Sequence, residues 1–129
     1  MEQENNNAPL LTWLKINPRF RKMPKALQDW FEKHNLKDKE AMVNYLCLAA
    51  QHVLNKGAKE AAINMLELAE DLAIQTEDEY LGPQIGAWIG LIESNDSVLI
   101  DETVDAIKEV INNIVYDEEF MKTIGRKKN

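Results

Sequence analysis

Between Ala41 and Thr76 apolar residues recur at helical spacing twice over, and the two runs meet at Asn55-Lys56-Gly57. In the first run Val43, Leu46, Cys47, Ala50, Val53 and Leu54 share one stripe, widened by Met42 and Ala49. This is the i, i+3, i+4, i+7 pattern of an amphipathic helix. Asn44, Gln51, His52 and Asn55 fall on the other side and are expected to face water. Asp38 is the expected N-cap, because its carboxylate can accept from a free amide of the first turn. Gly57 stands where the helix should stop, as a residue that turns left-handed without steric cost.

The second run places Ala58, Ala61, Ala62, Met65, Leu66, Leu68, Ala69, Leu72 and Ala73 on its apolar face. Glu60, Asn64, Glu67 and Asp71 lie opposite. The alanines favour helix and let a second helix axis come close. With this centre, and with only five Gly and four Pro in 129 residues, the expected class is all-α. The expected architecture is a compact bundle of five or six helices around a central antiparallel hairpin.

The hairpin resembles one unit of the tetratricopeptide (TPR) family over residues 43–76, with Gly57 as the turn glycine. Ala50, Ala62 and Ala69 then occupy the family's small-residue positions, and Leu46 and Leu66 its large apolar ones. The pattern departs from the family at Val53, where an aromatic is usual, and at Ala49, where a leucine is usual. The resemblance implies a helical scaffold for protein binding. Any antiparallel helix pair within a bundle also fits these residues.

At this length the chain is expected to be one helical domain over 9–125, after a disordered lead at 1–8 and before a basic tail at 126–129. The acidic and amide-rich start does not resemble a secretory signal. No apolar run approaches the roughly 20 residues that span a bilayer. The single cysteine, Cys47, lies on an apolar stripe and reads as a buried hydrophobe. His52 points about 140° away from it on the helical wheel, so the two do not form a nucleophile–base pair. A cytoplasmic protein without a cofactor is the expectation.

Elsewhere, Pro9 opens a short helix with Leu10, Leu11, Trp13 and Leu14, and Pro18 ends it near Asn17. Lys15 to Lys25 contains five cations and no acid, and reads as a basic loop that folds on the chain's own acids or meets an acidic partner. Pro24 begins a helix with Leu27, Trp30, Phe31 and His34 on one face. Thr76 and Glu79 have capping-box spacing, and Gly82-Pro83 is expected to break the turn that follows. Gly82, Gly86 and Gly90 recur every four residues and would form a bare groove on a helix, flanked by Ile85, Ile89 and Ile92. Trp88 and Leu91 are expected to point away from that groove. After Asn95-Asp96-Ser97, a helix carries Ile100, Val104, Ile107, Ile111 and Ile114 inward. It is expected to break near Tyr116, with Asp117 capping a last helix that bears Phe120, Met121 and Ile124 and ends at Gly125.

The net charge is −7 and unevenly placed: +2 over residues 1–40, −13 over 41–121 and +4 over 122–129. An acidic middle repels nucleic acid and anionic lipid and speeds encounter with basic partners. The expected function is therefore non-catalytic: an adaptor, or an inhibitor of immunity type that neutralises a basic target. The expected binding residues are Gly82, Gly86, Gly90 and Trp88 on one helix and Glu60, Glu67 and Asp71 on another. A small structural subunit of a larger assembly, homo-oligomeric or not, is a second reading. A third rests on Glu67-x-x-Glu70 and Glu102-x-x-Asp105, which resemble the motifs of MazG-type all-α nucleotide pyrophosphohydrolases. That resemblance implies Mg²⁺ held by these four oxygen-bearing residues. The wheel turns them outward rather than into a cleft, and no Gly-rich phosphate loop accompanies them.

Overall fold

The stripes of residues 41–76 become two helices folded back on one another in the computed structural model, which describes residues 9–76, 79–112 and 118–123. Helix α4 is Lys39–Asn55 and α5 is Lys59–Ala73. Asp38 caps α4, its Oδ1 accepting from the Glu40 amide at 3.2 Å. Gly57 takes a φ of 93°, and the Gly57 and Ala58 amides donate to Leu54 and Val53 carbonyls, closing the turn. Two longer helices follow: α6, Leu81–Glu93, and α7, Ser97–Asn112. Helix α4 packs on α5, α5 on α6, α6 on α7, and α7 back on α4. The fold is an all-α bundle, with no strand among the described residues.

This closed ring explains one difference from expectation. Asn44 and Gln51, expected to face water, are 8% and 5% exposed. Helix α4 is covered by α5 on one flank and α7 on another, which closes Asn44 and Gln51 off from water, while His52 stays half-buried and Asn55 exposed. Asn44 Oδ1 is buried without a hydrogen-bond partner, a cost of about 1–3 kcal/mol. Ala58, expected on the apolar face of α5, is exposed in the turn.

Pro18 begins a helix rather than only ending one. After α1, Pro9–Lys15, comes the single turn α2, Pro18–Arg21. Asn17 caps it, its Oδ1 accepting from the Arg19 amide at 3.0 Å, and Pro18 supplies a helix-ready φ at the first position. The basic segment is therefore partly helical, and it buries Phe20 and Met23. Gly82-Pro83 likewise lies inside the first turn of α6 instead of breaking it, where the missing proline N–H costs no helical bond. Asp96 starts α7, its Oδ1 accepting from the Val98 amide at 2.9 Å, after Asn95 turns at a φ of 64°. Thr103, Val104, Ile107 and Ile111 face the core, whereas Val110 is 40% exposed.

Helix α3, Lys25–His34, ends at Asn35 in a left-handed conformation. Its Trp30 and Phe31 form an aromatic cluster with Tyr45 of α4 and Phe120 of the short helix α8, Glu118–Thr123. The expected break at Tyr116, the cap at Asp117, and Ile114, Ile124 and Gly125 lie outside the described residues. So do the lead at 1–8, the tail at 126–129, and residues 77–78 of the Thr76–Glu79 pattern.

Candidate functional site

The outer face of α5 carries Glu67 and Asp71 one turn apart. The α2 turn buries Phe20 and so sets Arg19 over that face. Arg19 Nε donates to Glu67 Oε1 at 2.7 Å, and Arg19 Nη1 stands 3.7 Å from Asp71 Oδ2. Two of the three α5 acids expected to meet a foreign partner are thus engaged by the chain's own arginine. Glu60 is exposed at the start of α5 and makes no ion pair with a described residue. Lys25 and Lys15 are also matched, with Asp29 at 2.7 Å and Glu32 at 3.9 Å. The hydrogen bond and charge of Asp29 hold the Lys25 ammonium above its ordinary pKa.

On α6 the glycine row meets three different surroundings. A Cβ on Gly82 would lie 3.8 Å from Ile74 Cγ1, in ordinary contact. A Cβ on Gly86 would stand 2.8 Å from Glu70 Oε2, so this glycine admits a carboxylate from α5. A Cβ on Gly90 would meet nothing within 4 Å. Among the described residues, only Gly86 of this row meets an approach too close for a side chain. Trp88 is 2% exposed and sits with Ile85, Ile89 and Ile92 in the core. Positions 85, 88, 89 and 92 share one helical stripe, and that stripe fills the core, with Gly82 and Gly86 at its edge beside Ile74 and Glu70. Trp88 is therefore not available as an exposed anchor.

The four acids of the hydrolase-type reading are not brought together. Glu67 faces Arg19 from α2, and Glu70 faces Gly86 on α6. Glu102 and Asp105 are exposed on α7. No group of three or more acid, His or Cys side chains among the described residues could hold a metal ion. Cys47 is fully buried, and burial pushes its thiol up to about 12, so it is unreactive at neutral pH.

Helix α7 carries the largest set of unmatched acids. Asp101, Glu102, Asp105 and Glu109 stand at i, i+1, i+4 and i+8, and all are exposed. None makes an ion pair with a described residue. The helix's one cation, Lys108, is exposed beside them and unpaired as well. Exposed Val98, at 61%, extends the stripe by one turn, and Leu91 of α6, at 37%, lies across the α6–α7 turn from it. Sequence reasoning turned Glu102 and Asp105 outward without assigning them to a protein partner. The signal was present in the helical spacing of the acids; what was missing was knowledge of which acids the chain matches itself.

Comparison of the chain with protein-family models, with curated proteins and with solved structures finds no match in any of the three.

Proposed function

We propose that this chain is a non-catalytic protein-binding protein, of adaptor or inhibitor type, whose binding face is the outer stripe of α7. The observation that carries this reading is the contrast in matching: Asp101, Glu102, Asp105 and Glu109 are exposed and make no ion pair with a described residue, while Glu67 and Asp71 are held by Arg19. Unscreened carboxylates on one rigid helix attract a basic surface and orient it. Val98 and Leu91 add an apolar edge to the same end of the α6–α7 pair. The partner is a basic protein, and nucleic acid is repelled by the same charge.

The test uses the full chain as bait in lysate, beside a variant with Asp101→Asn, Glu102→Gln, Asp105→Asn and Glu109→Gln. Basic proteins should be retained by the native chain at low salt and released at high salt, with retention by the variant at least tenfold lower. Equal retention by the two baits would sink the assignment of the face. The reading as a small subunit of a larger assembly has one supporting feature, the open side of Gly90 next to exposed Leu91. It predicts a complex that survives high salt.

A further inference from the structure

Two adjacent side chains hold α8 in place. Phe120 is fully buried, and its ring meets Trp30 at 4.6 Å, Tyr45 at 4.8 Å and Phe31 at 6.1 Å, each edge to face. Glu119 sets Oε2 at 3.7 Å from both Lys33 Nζ and His34 Nε2. The receiving side belongs to longer helices. Trp30 stacks on His34 at 4.2 Å and contacts Tyr45 at 4.8 Å, without help from α8.

Two observations set this contact apart from the core. A six-residue helix cannot sustain itself in water, because nucleation fixes several residues for few hydrogen bonds. Helix α8 packs mainly on α3 and lies outside the ring of α4 to α7. Independently, Trp30 Nε1 is buried and has no hydrogen-bond partner among the described residues, although an indole N–H normally finds one. With α8 docked, this donor is shut away from water and receives no acceptor.

We propose that the aromatic pocket of Trp30, Phe31, His34 and Tyr45, rimmed by Lys33, binds a helical segment of a second protein that carries an acid followed by an aromatic residue, with α8 as the displaceable internal occupant. The incoming ring takes the place of Phe120. Its carboxylate takes the place of Glu119 between Lys33 and His34. The incoming segment also supplies an oxygen acceptor to Trp30 Nε1, which α8 does not. This site is cationic at its rim and lies on different helices from the acidic stripe of α7, so the two readings can fail separately.

The probe is a capped peptide of the α8 sequence, Glu-Glu-Phe-Met-Lys-Thr, titrated into the full-length Phe120→Ala chain. The readout is the NMR resonance of the Trp30 indole N–H, assigned with Trp30→Phe. A saturable shift is expected, none with a peptide whose Phe is replaced by Ala, and at least tenfold weaker binding to the native chain, where α8 competes. Glu119→Lys leaves the ring in place and should bind the peptide more tightly than the native chain does. In the native chain, α8 amides should exchange at least a hundredfold faster than those of α4. The proposal is overturned by no saturable shift at millimolar peptide, or by α8 amides as protected as those of α4. Loss of the α4–α7 helical signal in Phe120→Ala would overturn it too, because Phe120 would then belong to the core.

Discussion

Helices α5 and α7 both turn acids outward from the floor made by α4, and they differ in what meets those acids. On α5, Glu67 and Asp71 lie beneath Arg19, which arrives from 48 residues away in sequence. On α7, Asp101, Glu102, Asp105 and Glu109 are exposed and make no ion pair with a described residue, and neither does Lys108 on the same helix. The acids expected to meet a partner, Glu60, Glu67 and Asp71, lie on α5, and two of the three are engaged by the chain's own Arg19. An acidic helix face is free for a partner only where the chain brings no cation of its own, and sequence neighbours do not report that.

The comparison concerns outer faces, so the inner faces should behave alike. Leu66→Ala on α5 and Ile107→Ala on α7 each remove a fully buried side chain. Each should cost about 2–5 kcal/mol in denaturant unfolding. A much smaller cost on α7 would mean that this helix is peripheral and that the two are not equivalent scaffolds.

Cys47 tests the shared floor. Its thiol is raised from 9.0 to about 12 by burial, so the unfolded chain ionises first as pH rises. Stability from the buried neutral thiol is complete below pH 9 and is lost from there toward pH 12, at about 1.4 kcal/mol per pH unit. Unfolding measured from pH 8 to 11 should show this slope as the difference between the native chain and Cys47→Ala. Parallel curves would show that the floor opens to water.

The smallest effect separates the outer faces directly. Arg19→Ala should cost about 0.5–1.5 kcal/mol, because the pair is charge-assisted but partly exposed. Most of that cost should vanish in 1 M NaCl, as screening removes what the arginine supplied. The α7 variant with all four acids neutralised should lose no stability, since those acids make no ion pair with a described residue. A loss there would reveal a cation that matches them and would erase the contrast.

Much of the fold was legible because it is local. The hairpin turn at Gly57, the cap at Asp38, the stripe through Val104, Ile107 and Ile111, and the end of α3 at His34 follow from spacing and backbone preference within one or two turns. The misreadings share a cause. Pro18 and Pro83 were read as stops because proline ends a helix behind it, yet it also opens the helix ahead. Pointing away from the glycine groove does not take Trp88 to solvent, because its own stripe with Ile85, Ile89 and Ile92 packs into the core. The candidate site was half legible: the acids and their helices were identified, but not which acids remain unmatched.

The sequence by itself determined that this chain is helical, where its central hairpin turns, and that its middle is strongly acidic. These depend on periodicity, capping and composition, which act over a few residues. Only the tertiary structure decided that α4 is covered on both flanks, that Arg19 engages α5, and that no described cation pairs with the acids of α7. It alone seated Phe120 against Trp30 and Tyr45. Such outcomes depend on which helices become neighbours, and that is set by packing whole apolar faces together, a free energy spread over dozens of residues far apart in the chain.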